Sequence, residues 1–123
     1  MRIPINQIVL SSAARGAGTV YSNVHNGNSF EYAMVAIFIT AKSGAPSLDV
    51  SLQMSPVNPN LDNTQWFTVY REEQIVDANL TGSGPWHFLG QPQPGFIGWL
   101  RVICTVGGTS TPILTYSVNL ICK

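Results

Sequence analysis

Apolar and polar positions alternate along most of this chain. From Leu48 to Met54, the residues Leu48, Val50, Leu52 and Met54 share one side, and Asp49, Ser51 and Gln53 take the other. Period two predicts a strand with one buried face. Residues 98–106 repeat the pattern, with Leu100, Val102, Cys104 and Val106 inward and Trp99, Arg101, Ile103 and Thr105 outward. A third run sets Leu114, Tyr116, Val118, Leu120 and Cys122 against Thr115, Ser117 and Asn119. Residues 30–40 are apolar on both faces apart from Glu31, which predicts a strand covered on both sides. Weaker strands are predicted over 7–13, 19–23, 66–72 and 86–89.

Glycine and proline clusters separate these runs, as in Gly16-Ala17-Gly18, Ser43-Gly44-Ala45-Pro46 and Gln91-Pro92-Gln93-Pro94-Gly95. With 11 Gly and 8 Pro, only residues 67–81 leave room for a helical turn. The expected fold is all-β: a single antiparallel β-sandwich of about eight strands, jelly-roll-like, with an immunoglobulin-like arrangement as the alternative. Residues 15–123 would form the sandwich. Residues 1–14 would form an N-terminal arm or an edge strand, because Pro4 cannot donate to a ladder and Gly16-Ala17-Gly18 is a flexible joint. Gly107-Gly108, between two alternating runs, predicts a hairpin in which Val106 faces Leu114 and Cys104 faces Tyr116. That register separates Cys104 from Cys122 by roughly 20 Å along the sheet. The two are therefore expected to be free, buried thiols.

Charge is scarce. Six Lys+Arg balance six Asp+Glu, so charged residues are 10% of 123 and the net charge is zero. No basic face is available to replace phosphate counterions, which argues against nucleic acid as a partner, and no polybasic patch marks a membrane surface. No stretch is long and apolar enough for a signal peptide core or a membrane helix, so synthesis in the host cytoplasm is expected. Polarity comes from neutral side chains: 11 Ser, 9 Thr, 9 Asn and 6 Gln.

No catalytic residue, cofactor or metal site is legible. His25 and His87 lack a second ligand at metal-binding spacing. Glu72 and Glu73 are adjacent, so in a strand they point to opposite faces and cannot share acid–base work. No nucleophile elbow or phosphate-binding loop occurs, and the chain is not expected to be an enzyme. The stronger signal is an apolar second face. Trp99, Arg101 and Ile103 lie opposite Leu100 and Val102, and an apolar outer face marks a partner surface. Ile3, Ile5, Ile8 and Leu10 give the N-terminal segment apolar side chains for the same purpose. These seven residues are the candidate interface. Trp66, Trp86 and Tyr70 are the alternative, a stacking platform for sugar rings.

The run Ile39-Thr40-Ala41-Lys42-Ser43-Gly44-Ala45-Pro46-Ser47-Leu48-Asp49-Val50-Ser51-Leu52-Gln53 resembles a pattern in small structural proteins of tailed bacteriophages. In that pattern a strand ends in a Ser-Gly turn and a Leu-Asp-Val-x-Leu-Gln strand follows. The resemblance continues through Ser55-Pro56, Trp66-Phe67, Leu100-Arg101-Val102, Gly107-Gly108-Thr109 and Tyr116-Ser117-Val118, and covers residues 30–123. The chain departs from it in the longer segment 57–63 before the tryptophan, where the family has a short Asp-Gly turn. The resemblance implies a virion protein on the outer capsid surface: a head decoration or cement protein. Its partners would be the major capsid protein and further copies of itself, as a homo-oligomer, a trimer ahead of a dimer. The runner-up is a carbohydrate-binding or adhesion module of a tail or head fibre.

Overall fold

The computed structural model describes residues 5–27, 30–71, 75–90, 93–94 and 98–123, without the side chains of residues 5, 70, 71 and 93. The described residues form eight strands: β1 (Ile5–Gly16), β2 (Gly18–Tyr21), β3 (His25–Asn26), β4 (Tyr32–Ser55), β5 (Phe67–Arg71), β6 (Trp86–Leu89), β7 (Gln93–Pro94) and β8 (Trp99–Cys122). Every pairing between them is antiparallel. The helical turn allowed over 67–81 is a single 3₁₀ turn at Asp77–Asn79.

Two long strands organise the molecule. β4 and β8 each run 24 residues and pair with each other from Ala33↔Cys122 to Ser55↔Trp99. β1 and β2 flank β8, while β5, β6 and β7 flank β4. A flat ribbon of this length would place Cys104 and Tyr116 on the order of 40 Å apart, at about 3.3 Å per residue. Instead the Cys104 thiol meets the Tyr116 side chain. The ribbon is therefore folded over in its middle, and its halves face each other. Layer A holds β1, residues 113–122 of β8, residues 32–43 of β4, and β6 with β7. Layer B holds β2 and β3, residues 99–109 of β8, residues 45–55 of β4, and β5. Folding a paired ribbon onto itself is the jelly-roll device.

The fold-over is written in backbone. The register slips between Ser43 and Ala45. Gly44 and Gly108 have φ of 71° and 115°, and Ser110 and Thr111 have φ of 60° and 53°. A Cβ on Gly108 would collide with the Ala45 carbonyl oxygen, and one on Gly44 with that of Ser110. These strands cross the corner too closely for a side chain, in conformations that suit glycine.

This corner overturns the expected hairpin. Gly107-Gly108 does not reverse the chain: β8 continues through it, with Pro46 opposite Gly108 and Leu48 opposite Val106. Cys104 pairs with Val50 and Cys122 with Ala33. Likewise β4 does not end at Ser43-Gly44 but bends there. The inward sets are nevertheless those that alternation predicts. Leu100, Val102, Cys104, Leu114, Tyr116 and Val118 are fully buried, and both halves contribute to one core with Val35, Ile37, Ile39, Leu48, Val50 and Leu52. β1 is an edge strand of layer A within this chain: Val9 enters the core and Leu10 packs against it. Ile75 seals the edge of β4 beside Leu48 through paired backbone hydrogen bonds of 2.7 and 2.9 Å.

Candidate functional site

The two outer faces of the sandwich differ in chemistry. On layer A, the outward residues of β4 are Tyr32, Met34, Ala36, Phe38 and Thr40. Register places Ile121, Asn119, Ser117, Thr115 and Ile113 of β8 beside them, with Asn6 and Ile8 of β1 on one flank and His87 and Leu89 of β6 on the other. Leu89 is 65% exposed, Ile8 60%, Tyr32 45% and Ile113 37%. His87 meets the Phe38 ring edge-on at 5.1 Å, and Asn119 donates to the Asn6 side chain at 2.8 Å. Charge is sparse on this face: Lys123, paired with Tyr32 through backbone hydrogen bonds of 2.9 Å, stands at one end of it, and the other described outward residues are neutral. Residues 30–40 are thus apolar on both sides, as read, and on their outer side Tyr32 and Thr40 are exposed and Met34 and Phe38 half-buried.

Layer B is more polar outside. Arg101 lies between two aromatic rings, 4.5 Å from the centre of Tyr21 and 4.2 Å from that of Trp66, and its Nε donates to Gln53 at 2.9 Å. Stacking and hydrogen bonding together fix the guanidinium. Thr19 and Thr105 share a hydroxyl hydrogen bond at 3.0 Å, and Asp49 stands opposite Thr105. At the end of this layer a cleft of about 300 Å³ opens between Trp99, Val24 and Asn26 on one side and Asn58, Pro59 and Asn60 on the other.

The candidate interface is therefore spread over both layers. Ile8 belongs to the outer face of layer A, whereas Leu10 turns to the core. Trp99, Arg101 and Ile103 share the outer face of layer B, with Ile103 half-buried opposite Tyr21. Ile3 lies outside the described residues, and Ile5 is placed only by its backbone pairing with Cys122. Of the sugar-platform residues, Trp66 and Trp86 do not share a surface. Trp66 stacks on layer B, while Trp86 packs against the core from layer A and donates its indole N–H to the Thr81 carbonyl at 2.7 Å. Tyr70 is placed by its pairing with Leu52. The apolar outer face of layer A as a whole was not singled out from sequence. Its signal was the two-sided apolarity of residues 30–40, which predicts cover without saying what supplies it.

Titratable groups in the interior are held neutral. Burial pushes the Cys104 thiol up to about 12 and Cys122 to about 11. Burial also raises the Tyr116 hydroxyl, whose oxygen has no partner of ordinary hydrogen-bond geometry. Arg15 caps this core from β1. Its guanidinium sits 4.6 Å from the Tyr116 ring centre and donates to the carbonyls of Tyr116 and Ser11, each at 2.7 Å. Burial lowers the pKa of His25, whose Nε2 has no partner. No cluster of three His, Cys, Asp or Glu that could hold a metal occurs among the described residues.

No known protein-family model and no curated protein sequence matches the chain. Solved structures do match its fold. The chain superposes on the structure of infectious bursal disease virus Gx strain with a TM-score of 0.56 at 7% identity, over 98% of its own length and 32% of that chain. It superposes equally, at 0.56 and 11% identity, on the crystal structure of the infectious bursal disease virus VP2 subviral particle, again over 98% of itself and 32% of the other chain. The chain thus spans about a third of these neighbours. The class is an all-β sandwich, and at these identities the likeness is one of fold alone.

Proposed function

We propose that this is a virion structural protein, a head decoration or cement protein of a tailed bacteriophage that docks on the outer capsid surface through the outer face of layer A. The apolar face formed by Ile8, Tyr32, Met34, Phe38, Leu89, Ile113 and Ile121, with Lys123 at one end, carries this reading. Four strands about 4.8 Å apart and about nine residues long outline roughly 600 Å². That is the lower range of one partner's share in a standard interface. Neutral amides and hydroxyls among the apolar residues add hydrogen bonds without the desolvation cost of ion pairs. The likeness to chains of a virus and a subviral particle supports a place in a shell, and the sequence resemblance supports the phage and the decoration role. The work would be mechanical and non-catalytic, with the major capsid protein as partner and self-association, as a trimer ahead of a dimer, within the same reading. Residues 1–14 would add contacts to a neighbour. Antibody labelling of intact particles is the direct test: surface labelling at regular shell positions is expected, and absence of the protein from purified particles would contradict the reading.

A further inference from the structure

We propose that the cleft beside Trp99 binds a neutral sugar, as the end or a short run of a glycan chain. It is walled by one indole and three asparagines, with Val24 and Pro59 completing it. A pyranose has apolar C–H faces and a rim of hydroxyls that both donate and accept. A tryptophan ring matches the first, and carboxamides, with both donor and acceptor, match the second. The three tryptophans are used differently. Trp66 donates its indole N–H to Asn63 at 2.8 Å and Trp86 donates to Thr81, whereas Trp99 donates to none of the described residues. Nor does the Asn60 carboxamide bond to any of the described residues. Two donor groups on opposite walls are thus free for a ligand.

The walls are pre-set. Asn58 accepts from Leu61 at 2.8 Å and Asp62 at 3.1 Å through its carbonyl, and from the Asn60 backbone at 3.0 Å through its side chain. The loop is pressed onto β8, because Gly98, at φ 95°, passes so close to Ser55 that a Cβ would collide with its carbonyl. Ligand entry therefore costs little loop ordering. The described lining holds no charged side chain, and Arg101 on the same layer is engaged by Gln53, Tyr21 and Trp66. Phosphates and carboxylates have no cationic partner among the described lining residues. At about 300 Å³ the cleft is at the small end of ligand sites, which fits one or two sugar units. It lies on the layer opposite the proposed docking face, so a shell-bound copy would present it outward. The cleft and the docking face are tested separately and fail separately.

The test is an NMR titration of the whole protein, following the three tryptophan indole N–H signals. The probes are methyl glucoside, methyl galactoside, N-acetylglucosamine and their short oligosaccharides, with glucuronate and inorganic phosphate as anionic controls. At least one neutral sugar should shift the Trp99 signal saturably and leave Trp66 and Trp86 in place. Trp99→Phe and Asn60→Ala, each checked for an unchanged melting curve, should weaken binding by about tenfold, the loss of one hydrogen bond. Three results would overturn the proposal: no neutral sugar moves the Trp99 signal, only the anions do, or both variants bind as the parent does.

Discussion

Tyr116 is the largest fully buried side chain, and its position shows what alternation reveals and what it hides. Period two places it inward from sequence alone. The Cys104 thiol and the Arg15 guanidinium that meet it come from 12 and 101 residues away, through a fold-over that no local pattern records. Its hydroxyl is buried without a proper partner, so it costs stability. Tyr116→Phe keeps the ring under Arg15 and removes that cost; thermal unfolding should show a gain of about 1 kcal/mol. The thiols titrate far above neutral pH, so neither should react with a disulfide reagent at pH 8 in the native protein. Two should react per chain in denaturant without reductant, and none would mean a disulfide joins them. His25 gives a pH dependence of known sign. Its folded pKa lies below the ordinary 6.5, so the unfolded chain binds the proton more readily. The stability it permits is full above pH 6.5 and falls as pH drops toward the lowered folded value. Melting temperature should decline over that interval, and His25→Gln should flatten the decline.

At the scale of elements, the corner of the ribbon is where sequence reading and structure part. Gly107-Gly108 between two alternating runs satisfies the rule for a tight hairpin, yet β8 passes through it still paired to β4. A two-glycine step serves equally for a reversal and for a sharp bend. Only the pairing partner distinguishes them, and that partner is about 60 residues away, at Pro46 and Ser47. The free state of both cysteines was expected from the wrong register, and it follows instead from their separate partners, Val50 and Ala33. The two glycines should respond unequally. Gly108→Ala meets the Ala45 backbone at positive φ and should cost at least about 2 kcal/mol in denaturant unfolding. Gly107→Ala meets only the Ser47 hydroxyl, 3.2 Å away at the end of a rotatable side chain, and should cost less than about 1 kcal/mol. Equal effects would mean the corner does not depend on the conformation of Gly108.

At the scale of the whole molecule, the inner faces follow from sequence because burial on one side forces alternation. The outer faces follow less well, because a half-exposed side chain is compatible with solvent or with a partner. Trp99, Arg101 and Ile103 draw attention as large residues on an outward face. The structure holds Arg101 within its own layer and opens a cleft beside Trp99. The broad apolar surface is on layer A, where Ile8, Leu89 and Ile113 come from three separate strands. Those strands converge only through the topology of the ribbon, so no contiguous motif announces the face. Sedimentation of the purified protein with capsids that lack it tests the central claim most directly. The parent chain should travel with the capsids to saturation. The double variant Ile8→Glu/Leu89→Glu, which buries two uncompensated charges on docking, should stay at the top of the gradient with its melting curve unchanged. Thr19→Glu, on the outer face of layer B, should sediment as the parent does. Sedimentation of the double variant with the capsids, or failure of the parent chain to bind them at all, would contradict the account.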